Sequence, residues 1–347
     1  MSNNMPAFSP LSFTQNTSVT HQHVATCTST NTVLLQDLAS GKINNTKPYM
    51  LTADMQTSGR GQHTRSWQSP VGNIYLSLYH PLQVPLSGLL SLVIGYHLTQ
   101  LPIIQQLNRQ RYALKLPSIG VKWANDIGYY QLDSSSTTSF YKLAGILIEP
   151  VISDNKIIGI VVGVGINISA SPILCEKTKE GMDYQAISLS QIVEQTRVVE
   201  KNQAATSNSA VSNLNNSLVS PNTSFSKPRK NAFNIPRAKD LYTAVSASLL
   251  RAISQFSSFT HNPYALSRFI NDYESVNVLS NRQVYINQML WAQASATQTQ
   301  ALQTSKILQG VVQGINADGS LKIRPIDAAQ AATTIDIYTG TIRLIGY

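Results

Sequence analysis

QTSGRGQHTRSWQSPVGNIYLSL, residues 56–78, runs from a glycine-rich basic loop straight into an apolar strand. Gly59 and Gly61 bracket Arg60 and free the backbone to approach a ligand closely. Arg65 adds a second guanidinium, and Trp67 offers an aromatic plane before a Ser69-Pro70 turn. Such a loop suits a nucleotide or an acyl phosphate. It is not a Walker A loop, because no Gly-Lys-Ser/Thr follows. A bare Gly-Arg-Gly reads more readily as a solvated surface loop, so the surrounding segments have to decide.

Downstream, Lys122-Trp123-Ala124-Asn125-Asp126 puts a cation, an amide and a carboxylate at the end of an apolar strand, where they could meet a phosphate and a magnesium ion. A capped turn with a satisfied aspartate would read the same way. Lys142-Leu143-Ala144-Gly145-Ile146-Leu147-Ile148-Glu149 opens a strand on a lysine, and Val162-Gly163-Val164-Gly165-Ile166-Asn167 closes another on an amide. Glycines inside strands mark close approach of a backbone or ligand.

Around these motifs the pattern predicts strands at Ile74–Tyr79, Leu143–Glu149 and Ile157–Ile168 and helices at Thr32–Ala39 and Leu86–Leu101. That is an α+β or α/β core. Asp133 to Ser139 reads as a hairpin tip. Residues 1–24 read as a flexible leader, and 198–234, with Lys227-Pro228-Arg229-Lys230, as a flexible Ser/Asn-rich insertion without an apolar face. Helical spacing returns at Lys239–Phe256 and Pro263–Tyr273. Short strands follow at Val284–Ile286, Ile307–Gly314, Leu321–Arg324, Ile335–Tyr338 and Ile342–Ile345, with an Asp318-Gly319 turn, and predict a small terminal β-barrel interrupted by a polar loop around 293–305.

A chain of 347 residues with 42% hydrophobic content can bury a substantial core. Its +9 formal charge comes from 26 Lys and Arg against 17 Asp and Glu, and suits nucleotides, acidic proteins or nucleic acid without choosing among them. Two cysteines, Cys27 and Cys175, are too few for a disulfide framework and fit a reducing compartment. The N-terminal sequence has neither a basic nor an apolar signal region, and the apolar stretch Leu86–Leu98 is broken by polar residues and glycines, so a cytoplasmic protein without a membrane span is expected. The six histidines show no metal-ligand spacing beyond His21 and His23.

In order and wording the motifs resemble the biotin protein ligases, monofunctional type. The resemblance covers Thr28-Ser29-Thr30-Asn31, the Gln56–Trp67 loop with Ser69-Pro70, the runs at 122–126, 142–149 and 163–167, and the terminal segment 311–321. It implies an α+β mixed-sheet catalytic domain, of the kind shared with class II aminoacyl-tRNA synthetases, over 25–280, and an SH3-like β-barrel over 281–347. It implies ATP-dependent ligation of biotin, through biotinyl-5′-AMP, to a lysine of the biotin carboxyl carrier protein of acetyl-CoA carboxylase or a related carboxylase.

The same resemblance implies roles. Arg60, Lys142, Asp126 and Lys122 would be catalytic. Ser29, Thr30, Asn31, Gln56, Arg60, Gly61, Gln62, Lys142, Gly145, Gly163 and Gly165 would bind biotin, and Arg60, Arg65, Trp67, Asn125 and Asn167 the adenylate. Magnesium would enter with ATP, near Asp126, without a protein cage. Gln62 and Thr64 stand where the family often carries an arginine and a glycine, and Ala124 replaces a proline; the missing charge at Gln62 points to weaker retention of the adenylate. The residues before Ser29 lack two amphipathic helices, so DNA binding is not expected, while a homodimer stays open. A lipoate-type ligase of similar fold and a non-catalytic biotin or nucleotide sensor are the alternatives.

Overall fold

The computed structural model describes residues 19–62, 65–132, 138–172, 184–214, 234–291, 303–326 and 333–345. Its centre is a mixed eight-stranded sheet. Strands β1 (Thr20–Cys27), β2 (Tyr49–Gln56), β3 (Ile74–Pro81), β4 (Gly120–Lys122), β5 (Asp126–Leu132), β6 (Thr138–Ser153) and β7 (Lys156–Ile166) lie in the order β1-β2-β3-β7-β6-β5-β4, and β8 (Tyr184–Ala186) pairs with β6. Among the described strand pairs of this sheet, β1–β2 and β6–β8 are parallel and the others antiparallel.

Alternation along β7 explains the layers. Ile160, Val162, Val164 and Ile166 point into the main hydrophobic cluster, while Val161 joins a smaller cluster on the other face with Leu34, Leu38, Leu51 and Tyr79. Against the main face lie α2 (Leu89–Thr99) and α5 (Ala238–Ser258), which pack on each other. Helix α2 is apolar nearly all round because it sits between that sheet and α5. Its Gly95 lets it approach β4, since a Cβ there would lie 3.1 Å from the Val121 methyls. On the other face α1 (Thr30–Ala39) covers β3 and β7.

Two irregularities in β6 place the site. β7 leaves the edge of β6 at Ala144, and β8 takes up that edge at Lys142, bridged by Asn167 N–H to Leu143 O at 3.0 Å and Ile187 N–H to Lys142 O at 3.0 Å. Opposite, β5 pairs Ile127 with Ala144 but Gly128 with Lys142, so Leu143 is an extra residue. A bulge of one residue reverses the faces of a strand. It turns Lys142 from the core face to the face of Gly145.

The terminal strands β9 (Gln283–Trp291), β10 (Gln303–Ile315), β11 (Leu321–Pro325), β12 (Ile335–Ile337) and β13 (Thr341–Leu344) form an antiparallel sheet in the order β12-β11-β10-β9-β13. Its buried side chains, among them Val284, Ile286, Val312 and Ile323, belong to the same hydrophobic cluster as the central sheet. The turn at Asp318-Gly319 hooks onto the core: Gly319 O accepts from Trp123 Nε1 at 2.9 Å, and Asp318 O from the Leu89 N–H at 3.2 Å.

Three expectations change. The sheet already includes Thr20, because residues 20–24 pair with β2 and are not leader. The expected insertion starts as helix: α4 spans Leu189–Leu214, its first turns held by buried Leu189, Ile192 and Val193. Once nucleated there, a run of Glu, Lys, Gln and Ala continues without needing an apolar face. The expected polar loop is shorter at its far end, since β10 already starts at Gln303. Residues 1–18, 215–233 with the Lys227–Lys230 run, and 292–302 of that loop lie outside the described residues. So do 133–137 of the hairpin tip, whose flanks pair as expected at Leu132 and Thr138. Helices α3 (Pro102–Ala113) and α6 (Pro263–Glu274) complete the described fold.

Candidate active site

A cavity of about 610 Å³ opens over the glycine face of β6 and β7. Its floor holds Gly145, Gly163 and Gly165, its walls the start of α1, the loop after β2, and Tyr184 and Ala186 of β8. Gly145 and Gly165 face each other across the strand pair. A Cβ on Gly165 would lie 2.6 Å from Trp67 Cε2, one on Gly145 3.0 Å from Trp67 Cζ3, and one on Gly163 would strike the Asn31 amide. The glycines therefore make room for an indole and an amide as well as for a ligand.

One end of the cavity is a chain of neutral hydrogen bonds. Gln56 Oε1 accepts from the Thr30 N–H at 2.8 Å and the Thr30 hydroxyl at 3.1 Å, while its amide donates to Ser69 Oγ at 3.0 Å. The Ser77 hydroxyl lies 2.7 Å from Thr30 Oγ1 and 2.5 Å from Asn31 Oδ1. From Asn31 the chain passes to Glu149, whose Oε2 accepts from Asn31 Nδ2 at 2.8 Å and from Arg60 Nη2 at 2.6 Å. Buried polar groups have to be paired in this way. The loop carrying Arg60 folds back on itself, with Trp67 N–H on Gly59 O at 2.8 Å and Gly61 N–H on Arg65 O at 2.7 Å.

The other end is charged. Lys142 Nζ is 2.7 Å from Asp126 Oδ1 and 5.2 Å from the centre of the Trp67 ring. Lys122 is buried, and its Nζ donates to the Tyr184 hydroxyl at 2.7 Å. Burial, partly countered by Asp126, brings the Lys122 ammonium down to about 7. Burial alone would raise the Asp126 carboxyl, but the charges of Lys142 and Lys122 hold it below its ordinary value. The Tyr184 hydroxyl is pushed well above its usual range, first by burial and then by the Asp126 charge.

Of the residues expected at the site, Ser29, Thr30, Asn31, Gln56, Arg60, Gly61, Gln62, Arg65, Trp67, Asn125, Lys142, Gly145, Gly163, Gly165 and Asn167 all line this one cavity. Lys122 and Asp126 do not line it: they stand behind the wall, touching Tyr184 and Lys142. Asn125 and Asn167 spend their amide N–H groups on Ile146 O at 2.9 Å and Ile187 O at 3.3 Å, and Asn167 Oδ1 and Trp67 Nε1 are buried without a partner. Glu149, Ser77 and Tyr184 are additions from the structure. Glu149 stood in a quoted motif, but its partner Arg60 is 89 residues away, so no local spacing signals the pair.

A family model described as the biotin/lipoate A/B protein ligase family matches residues 24–167. The bifunctional ligase/repressor BirA of Salmonella typhimurium is 38% identical over 120 residues, 34% of this chain and 32% of that protein. Its counterpart from Bacillus subtilis is 28% identical over 140 residues, 40% of this chain and 38% of that protein. The chain thus spans about a third of the length of these curated relatives. Among solved structures, the biotin protein ligase of Aquifex aeolicus in complex with biotin and ATP matches with a TM-score of 0.53 at 18% identity, over 94% of this chain and 99% of that one. A mutant of that enzyme, in complex with biotin, gives 0.52 at 19% over the same shares. These likenesses show the mixed α+β fold.

Proposed function

We propose, on the premise of the match of residues 24–167 to the biotin/lipoate A/B protein ligase family, that the chain activates biotin with ATP as biotinyl-5′-AMP and passes the biotinyl group to a lysine of a biotin carboxyl carrier protein. The observation that carries this reading is the cavity with neutral hydrogen-bonding groups at the start of α1, Arg60 joined to them through Glu149, and Lys142 paired with Asp126 at the other end, over a floor of glycines. Biotin has the matching shape: a polar ureido head, an apolar body and a carboxylate tail.

In the first step a biotin carboxylate oxygen bonds to the α-phosphorus of ATP and pyrophosphate leaves. Both reactants are anions, so the catalytic demand is for fixed positive charge that holds them in line. Arg60 and Lys142 supply it. Each is paired with a carboxylate, Glu149 and Asp126, and exchanges that partner for ligand oxygens. Ser29, Thr30, Asn31 and Gln56 are assigned to the ureido head, and Trp67, Arg65, Asn125 and Asn167 to the adenylate. In the second step the carrier amine attacks the acyl carbon, AMP leaves and the amine gives up a proton. Asp126 is the group assigned to orient that amine.

Magnesium belongs to the nucleotide in this scheme. The Asp126 side chain is 8% exposed and already meets Lys142, and among the described residues no three His, Cys, Asp or Glu side chains gather. The donor set does not suit a protein-held metal, so no step runs through one. The deciding experiment combines the purified chain, labelled biotin, MgATP and a carrier domain, with lipoate as competitor. Transfer of label that lipoate does not suppress is the expected result. Preferred lipoate incorporation would make it a lipoate ligase, and retention of biotin without pyrophosphate release would make it a sensor.

A further inference from the structure

Asn73 is 1% exposed, lies just before β3 and has no surface on the cavity. Its Oδ1 accepts from three consecutive backbone N–H groups, Ile168 at 2.8 Å, Ser169 at 3.1 Å and Ala170 at 3.3 Å. Its Nδ2 donates to Ala170 O at 2.8 Å. Successive N–H groups that converge on one point form the kind of concavity that otherwise takes an anion. Here a neutral amide fills it, so the chain leaving β7 is held without a charge. Next to it, Gly72 at φ +96° lets the two segments meet, since a Cβ there would lie 3.2 Å from Ser169 Cβ.

The held segment starts one residue after Asn167 and runs toward Pro172, and both of these line the cavity. Asn167 O accepts from the Leu189 N–H at 2.8 Å and Ile168 O from the Ser190 N–H at 3.0 Å, which ties the start of α4 to the same stretch. Asn167 Oδ1 itself is buried without a partner. Such an acceptor costs free energy until a donor on a ligand meets it, and it favours the right donor only if its backbone cannot shift. We infer that Asn73 is a positioning residue for the nucleotide end of the cavity. It fixes the backbone behind Asn167, so that Asn167 Oδ1 meets the base of the adenylate already in place. The inference rests on the ligase reading and its assignment of Asn167, and the failure of each reads differently in the test.

Steady-state pyrophosphate release, with ATP and biotin varied in turn, is the measurement. A parent chain that releases none removes the ligase reading, and this role with it. Given an active parent, Asn73→Ala should raise KM for ATP about tenfold, the loss of one well-placed hydrogen bond to the base. KM for biotin should stay within about twofold and kcat within about threefold, the pattern of lost ground-state binding of one substrate. Damage to the fold alone has the opposite signature, a lower kcat from fewer active molecules with both KM values kept. Should Asn73→Ala not fold, Asn73→Asp reads the same split. It keeps an oxygen for the three N–H groups, gives up the bond to Ala170 O, and should raise KM for ATP about threefold. A parental KM for ATP in the folded variant, equal rises in both KM values, or a fall in kcat alone would each overturn the role of Asn73.

Discussion

Arg60 and Lys142 enter the reaction already paired, to Glu149 at 2.6 Å and Asp126 at 2.7 Å. Pairing keeps two long side chains in place over a neutral cavity, and it makes their release part of ligand binding. Replacing either by alanine should slow adenylation by at least ~10²-fold, the usual loss for one preorganised charge-stabilising donor, as read by pyrophosphate release. Gln62 lines the cavity with an uncharged amide, so Gln62→Arg, which adds a guanidinium facing an anionic adenylate, should lengthen the lifetime of that bound adenylate in a dissociation assay. Lys122 leaves its mark on stability. Its pKa falls from 10.5 in an unfolded chain to about 7, so between these values the unfolded chain holds more protons and stability rises with pH. Urea titrations from pH about 7 to about 9 should show a shallower rise in Lys122→Met than in the parent. The residue types at the site were legible because the runs at 56–67, 122–126, 142–149 and 163–167 occur together in one order, where a Gly-Arg-Gly alone would not have marked a site. Asp126 was named as well, but Glu149 as the partner of Arg60 was not, since that pair joins residues 89 apart in the chain.

At the scale of elements, β7 does two jobs with one alternation. Its β-branched residues build the core and its glycines form the cavity floor. Gly165→Ala should therefore leave the fold intact and push the Trp67 indole off the floor. Weakened biotin binding together with a changed Trp67 fluorescence contribution, assigned by comparison with Trp67→Phe, checks this. Long periodic segments such as β7, α5 and the terminal strands could be read from the chain alone. Strand β8 could not, because three residues carry no period and its pairing depends on where β7 stops. Nor could the bulge at Leu143, which exists only relative to β5. Helix α4 outran the reading for a different reason, since a helix already anchored needs propensity more than pattern.

For the molecule as a whole, one hydrophobic cluster runs through both sheets, so the terminal sheet is part of the core that supports the site. Gly319 sits at φ +88°, where a side chain is strained, and a Cβ there would run into the Leu89 backbone. Gly319→Ala should cost about 1–3 kcal/mol in urea unfolding and slow adenylation as well, because the same turn holds Trp123, two residues before Asn125. A stability loss with parental adenylation would show that the terminal sheet does not reach the chemistry. The hook also has a consequence in time. Trp123 leaves the ribosome long before the carbonyl that accepts its indole N–H, so a nascent chain arrested short of Gly319 lacks the clasp on its own catalytic turn. A later-made stretch completes the earlier-made half, and the pocket waits on it during synthesis.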